Sequence, residues 1–267
     1  MHDHESEGDC VTCIHPTAVV HDGAELGEDV EIGAYSIVGP RVKLRDRVTV
    51  MPHVFLDGQT TIGRECTIFP FASLGSLTQD LKYKGGDTFV EIGERTTIRE
   101  YVTINSGTAE GETTRVGSGC LIMAYCHVAH GSRVGDRVIM ANGASLSGDG
   151  VVEDDATIGG MTGIHQFTRI GRFAMVGGMS RITQDVPPYL LVEGNPAEAR
   201  GVNSVKLQRL GVSAETQSTL KKAFKMLCRD GLSTRQAVEK MRAELTACPE
   251  LDYLLSFIET SERGIVK

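Results

Sequence analysis

The sequence predicts a mainly β protein, a parallel β-helix of six-residue repeats followed by a C-terminal α-helical domain. Three observations carry this. First, an aliphatic residue or Met recurs at every sixth position from Ile14 to Ile182, and of the 29 slots in that span only Asp80, Gly86 and Glu110 depart from it. Aliphatic residues make up about a quarter of an average sequence, so chance does not produce such a run. Second, Gly often follows the slot residue, as in Leu26-Gly27, Ile62-Gly63, Val134-Gly135 and Ile170-Gly171, in a chain with 31 Gly and no Trp. That balance suits many tight turns better than one bulky core. Third, beyond Ile182 the sixfold rhythm gives way to Gln184-Asp-Val-Pro-Pro-Tyr189 and then to helical periodicity.

Taken in chain order, residues 1–13 read as a short, flexible acidic tail and 14–190 as the β-helix. Each hexad supplies one short strand and one turn, and three hexads make a triangular coil of about eighteen residues. The slot side chains then point inward and stack from coil to coil at about 4.8 Å. Small residues such as Ala34, Ala72, Thr97, Cys120, Ala156 and Thr168 are assigned to the remaining tight positions near the turns. Residues 75–91 replace one coil's length with a loop, and 108–115 form a shorter polar excursion. Loops thrown out from a rigid solenoid are where binding residues concentrate. Residues 191–267 form the helical domain. Ser213 caps a helix ending before Gly231, Ser233-Thr-Arg-Gln236 is a capping box, and Pro249 opens the last helix.

Composition excludes several function classes. A net charge of −8 over 267 residues argues against nucleic acid as a general partner. No apolar stretch reaches the length of a membrane span, and the N-terminus lacks a signal-peptide apolar region. Seven cysteines, an odd number, point to a reducing, cytoplasmic compartment rather than a disulfide framework. Cys10-x-x-Cys13, with His4 and His15 nearby, is a weak hint of a metal site.

A specific set of motifs lies on this frame: Gln79-Asp-Leu-Lys-Tyr83, Cys126-His-Val-Ala-His130, Ile158-Gly-Gly-Met161, His165-Gln-Phe167, Gln184-Asp-Val-Pro-Pro-Tyr189, Gly194-Asn195 and Gly201-Val-Asn203. On them the chain resembles the acyl-carrier-protein–UDP-N-acetylglucosamine O-acyltransferases of lipid A synthesis, from about Ile14 to the C-terminus. The resemblance implies a left-handed helix, which the repeat alone does not, since crossovers are normally right-handed. It also implies a homotrimer with sites at subunit interfaces. The acyl group would arrive on the phosphopantetheine of acyl carrier protein, with no resident cofactor or metal.

The residues themselves fit that chemistry. Transfer from a thioester to a sugar hydroxyl needs a base, because an alcohol stays protonated at neutral pH, and neutral histidine is available there. His127 and His130 share one coil, and His165 follows close to two coils on, roughly 10 Å away. The resemblance implies His130 as general base on the 3-hydroxyl and the Gly148 backbone N–H as oxyanion donor. It implies His127 and His165 as substrate ligands, Asp80 and Lys82 as sugar-nucleotide contacts, and Gln166, Asn203 and Arg209 as acyl- and nucleotide-contacting residues. Gly178 matches a position where glycine leaves the acyl groove open, which implies a long acyl chain.

The chain departs from the family pattern at four places: Asn105, Gly131, Asp149 and Leu210. Gly131 stands where an acidic residue or Asn commonly follows the base, so something else must orient the imidazole. Between Lys206 and Arg229, six basic residues (Lys206, Arg209, Lys221, Lys222, Lys225 and Arg229) face one acid, Glu215. Such a patch would steer the strongly acidic acyl carrier protein. Three rivals stand beside this reading. One is a zinc carbonic anhydrase of the same fold, using His127, His130 and His165. The others are an acyltransferase acting on an amino-sugar nucleotide and a purely structural solenoid.

Overall fold

A computed structural model of the protein describes residues 12–267. The acidic tail, and with it His4 and Cys10, lies outside the described residues, whereas Cys13 is free and exposed. Among the described residues, parallel strands of mostly two residues stack into three sheets of eleven, nine and eight strands. Every third strand joins the same sheet, as in the series Ile14, Ile32, Val50 and Ile68. This is the triangular β-helix that the hexads predict.

Nearly every strand of the repeat ends on its slot residue, with Ser73–Ser76 and Thr103–Asn105 running past theirs, and the slot residues point inward. In the middle of the helix these residues are fully buried, among them Leu56, Ile68, Ile98, Ile122 and Met140. Strand side chains alternate between faces, so the residue two before each slot also points in: Val30, Ser36, Cys66, Cys120, Ala144 and Thr168 are all buried. This second inward ladder corrects one sequence assignment: Thr97 precedes a slot and faces outward, whereas Ala34 sits half-buried in a turn. The first coil is also looser than the repeat suggests. Ile14 is 42% exposed because no coil packs beneath it among the described residues.

The excursions are shorter than one coil. Strand partners lie eighteen apart along most of the helix, but Ile62 pairs with Ile92 and Ile92 with Val116. The first excursion therefore adds 12 residues and the second adds 6. Both are multiples of six, which is why the rhythm resumes in phase. Both leave at the same corner, between the second and third sheets, and they bond to each other through the hydroxyls of Thr78 and Thr108 at 2.9 Å.

The three corners differ in chemistry. The third residue after each slot takes a left-handed backbone in most turns. At the corner from third to first sheet this place carries Asp29, Arg47, Glu65, Arg95, Arg137 and Asp155, paired along the axis as Arg47–Glu65 and Arg137–Asp155. At the corner from first to second sheet it carries Tyr35, His53, Phe71, Tyr101 and Tyr125, whose rings stack 4.9–5.2 Å apart. Met161 and Met179 continue that exposed stripe. The remaining corner carries the excursions and the His130 turn.

The sheet runs past the expected boundary at residue 190. Strand Leu190–Gly194 pairs parallel with Met175–Val176, and Ala197–Val202 returns antiparallel beside it. Four helices follow: α1 (Ser204–Arg209), α2 (Ala214–Cys228), α3 (Thr234–Glu244) and α4 (Pro249–Glu259). Ser213 caps α2, and Ser233 with Gln236 closes the capping box of α3. The helices share an apolar core that includes Leu220, Leu227, Met241, Leu254 and the buried Tyr189. They seal the last coils: Arg172 stacks on Tyr253 at 3.7 Å, and the Tyr253 hydroxyl donates to Glu153 at 2.8 Å.

Candidate active site

His130 is the second residue after the slot of strand His127–Val128. The register Val128, Leu146, Ile164 puts Gly148 and Gln166 at the same place one and two coils further on. The His130 imidazole lies directly on Gly148. A Cβ there would fall 2.3 Å from Nε2 and 2.4 Å from Cε1, so only glycine leaves room for the ring.

The Gly148 N–H is also open. In three turns of the corner from third to first sheet the equivalent N–H donates to an aspartate one coil on, Glu28 to Asp46, Ser118 to Asp136 and Asp136 to Asp154, at 2.8–3.1 Å, and along the His130 corner it does not. Behind Gly148 the next coil offers the exposed Gln166 instead, and the Gly148 N–H reaches no protein carbonyl among the described residues. An imidazole and an unspent backbone donor therefore lie side by side, as a base and an oxyanion donor require.

The first excursion closes over this turn. Asp80 accepts the Lys82 N–H at 2.9 Å through Oδ1, and its Oδ2 stands 3.8 Å from His130 Nε2. That is too long for a hydrogen bond and leaves the carboxylate facing the ring across a short gap. The buried Asn105 anchors the excursion by donating to the Leu77 carbonyl at 3.0 Å, which accounts for an amide at that departure from the family pattern. The Lys82 side chain is exposed.

His127 projects from the outer face of the second sheet, with Nδ1 2.7 Å from the Thr103 hydroxyl. Burial pushes its pKa down and the charge of His130 adds to the effect. It stays neutral at pH 7 and is suited to hydrogen bonding rather than to holding charge. His165 and Gln166 are exposed further along the corner, with His165 Nδ1 3.0 Å from the Gln166 carbonyl. At Gly131 the turn has φ +64°, a conformation that glycine adopts without steric cost. Its N–H donates to the Thr114 hydroxyl at 3.0 Å.

The remaining sequence-predicted residues do not gather here. Gly178 lies in the turn after strand Met175–Val176, at the aromatic corner, with Gly160 beneath it. Asn203 lies by the charged corner and has a structural task there. Its Oδ1 caps α1 by accepting the Lys206 N–H, and its Nδ2 donates to the Phe173 carbonyl at 2.9 Å. Arg209 ends α1 with an exposed side chain. Lys206 is paired with Asp155 at 3.3 Å, so it is not an open member of the basic patch. Arg209, Lys221, Lys222, Lys225 and Arg229 remain exposed. No group of three His, Cys, Asp or Glu side chains that could hold a metal occurs among the described residues, so one chain does not bring His127, His130 and His165 together as ligands.

Two residues near the base escaped the sequence reading. Thr103 reaches His127 only through strand stacking, and Glu112 arrives beside Gly131 from the second excursion. Neither belongs to a local motif.

Comparison with known proteins agrees with this frame. The bacterial transferase hexapeptide family (six repeats) matches residues 113–148, and the UDP-N-acetylglucosamine O-acyltransferase domain 2 family matches 185–266. Fold and site thus define a hexapeptide-repeat transferase. The acyl-[acyl-carrier-protein]–UDP-N-acetylglucosamine O-acyltransferase of Thermodesulfovibrio yellowstonii is 49% identical over 95% of this chain and 99% of its own length. That of Herminiimonas arsenicoxydans is 45% identical over 96% and 100%. The UDP-N-acetylglucosamine acyltransferase structure from Bacteroides fragilis superposes with a TM-score of 0.92 at 38% identity, covering 95% of this chain and all of its own. The Acinetobacter baumannii structure gives 0.92 at 41%, covering 95% and 99%. The chain belongs to the acyl-[acyl-carrier-protein]–UDP-N-acetylglucosamine O-acyltransferase family.

Proposed function

We propose that this protein moves an acyl group from the thioester of acyl carrier protein to the 3-hydroxyl of UDP-N-acetylglucosamine, the entry step of lipid A synthesis. The single observation that carries the residue-level reading is the His130 ring laid on Gly148, whose N–H has no backbone acceptor among the described residues. His130 Nε2 takes the hydroxyl proton as the sugar oxygen attacks the thioester carbonyl. The Gly148 N–H supports the oxyanion. Its collapse breaks the C–S bond, and the departing thiolate takes the proton from His130. No residue here forms a covalent acyl-enzyme, and the chemistry needs no resident metal or cofactor. Asp80, Lys82, His127, His165 and Gln166 line the path of the sugar nucleotide along the same corner.

A homotrimer would bring the dispersed parts together. In one chain, His130 and Gly178 belong to different corners and Arg209 to α1, so a site using all three needs neighbouring copies. The exposed stripe of Tyr35, Phe71, Tyr101, Tyr125, Met161 and Met179 offers an apolar corner for that packing. Arg209, Lys221, Lys222, Lys225 and Arg229 form the landing surface for acyl carrier protein, a donor that places the reaction in the cytoplasm. No helix among the described residues is long and apolar enough to cross a membrane.

The reading is tested by following thiol release from acyl carrier protein thioesters of several chain lengths. Release that depends on UDP-N-acetylglucosamine supports it. Release only with an amino-sugar analogue of that nucleotide would move the acceptor to an amine. Light scattering should give three chains per particle, and a monomer would contradict the shared site.

A further inference from the structure

The charged groups around the His130 turn come from every element packed there: Asp80 from the first excursion, Glu112 from the second, His127 on the same coil and Asp149 on the next. His130 Nδ1 is buried and bonds no protein atom. No single protein acceptor among the described residues therefore fixes that side of the ring.

Two carboxylates occupy the space that a side chain at 131 would fill. A Cβ on Gly131 would lie 2.5 Å from Asp149 Oδ1 and 2.6 Å from Glu112 Oε1. The other Glu112 oxygen accepts the backbone N–H groups of Thr108 and Ala109, which holds the carboxylate in place. Asp149 sits in a left-handed turn, where its neighbour in space is Glu112 rather than a cation.

We propose that Glu112 and Asp149, which converge beside Gly131, act as a pair of positioning acids for His130. This rests on His130 being the general base. Two carboxylates converging on one point repel each other, and a cationic imidazole beside them relieves that repulsion. Burial, with the charge of Glu112 second, pushes the Asp149 carboxyl above its ordinary range, whereas the charge of His130 pulls it back. No hydrogen bond joins the pair to the ring, so its influence is Coulombic. It acts in the interval when the hydroxyl proton rests on Nε2, after the C–O bond has begun to form and before the C–S bond breaks.

The test uses Glu112→Gln and Asp149→Asn, which keep shape and remove charge, in the full-length protein. Titration of the His130 ring by carbon-detected NMR, its signal identified by its loss in His130→Ala, needs no substrate. Each variant should lower the titration midpoint, by about one pH unit for Glu112→Gln, and move the acid limb of kcat in the same direction. The value of kcat should fall about 10- to 100-fold with KM for UDP-N-acetylglucosamine unchanged, and the thermal midpoint should not drop. Glu112→Asp, which keeps the charge, should restore most of the midpoint, and it stands in if either variant fails to fold. A His130 midpoint that does not move in any variant overturns the proposal even where transfer is intact. A midpoint that moves in a protein with no acyl transfer would sustain the pair and sink the function assigned to the base.

Discussion

Replacing Gly148 by Ala tests the contact on which the site is built. The substitution adds one methyl group and keeps the backbone N–H, so any loss comes from the base and not from a missing oxyanion donor. In the structure that carbon would meet His130 Nε2 and Cε1 at 2.3 and 2.4 Å. Ordinary contact between such atoms is about 3.5 Å, so the ring must withdraw by about 1 Å. A displacement of that size costs roughly 100-fold in rate when a reacting group is misplaced, which corresponds to about 2.7 kcal/mol. The overpacking should also destabilise the fold by about 1–3 kcal/mol. Both penalties belong to the ring, so in a His130→Ala background Gly148→Ala should cost almost no stability, a coupling read directly by a double-mutant cycle. The assay is kcat with saturating substrates, together with urea unfolding of all four proteins. A Gly148→Ala enzyme within threefold of wild type, or an equal stability loss in both backgrounds, would refute the contact.

Other outcomes follow from the same geometry. Asp149 has its carboxyl raised above the ordinary 3.8, chiefly by burial. A raised acid favours the fold while protonated, so its contribution is whole below that ordinary value and is lost as pH rises through the folded one. Asp149→Asn should therefore raise the thermal midpoint at pH 7.5, and the gain should vanish near pH 4; a midpoint lowered at pH 7.5 would contradict this. Gly178→Met should shift chain preference at least tenfold toward shorter acyl groups in a competition assay, and an unchanged preference would remove Gly178 from the groove. Reversing Lys221, Lys222 and Lys225 to Glu should raise KM for acyl carrier protein about tenfold at low salt and leave KM for the sugar nucleotide alone. A salt-independent KM would place the carrier elsewhere.

The slot ladder was legible in the sequence because each slot admits only aliphatic side chains and Met over many coils. The second inward ladder was harder to read. Its places accept Val30, Ser36, Cys66 and Thr168 alike, and no single residue type marks them, so an outward Thr97 looks no different in sequence from an inward Thr168. The first excursion was visible as lost aliphatics at Asp80 and Gly86, but its net length follows only from strand partners. At the site, His130 and Gly148 were read by resemblance. Their contact arises from coil stacking, which carries no local signature. Glu112 was hidden for the same reason, since it lies eighteen residues from His130 in sequence and reaches Gly131 only through the excursion. Asn203 could have been read as a cap, because Asn is a preferred residue directly before a helix. The helical periodicity of Ser204–Arg209 is too short to announce that helix.

The central claim is acyl transfer to the 3-oxygen of the sugar nucleotide with His130 as base. Its most direct measurement is mass spectrometry and NMR of the product made from UDP-N-acetylglucosamine and acyl carrier protein thioester, by the wild-type protein and by His130→Ala at matched thermal midpoints. The account predicts one acyl group on the 3-oxygen with wild type and a rate at least 100-fold lower in the variant. A wild-type protein that leaves the sugar nucleotide unacylated, or a His130→Ala protein that acylates it at the native rate, would contradict it.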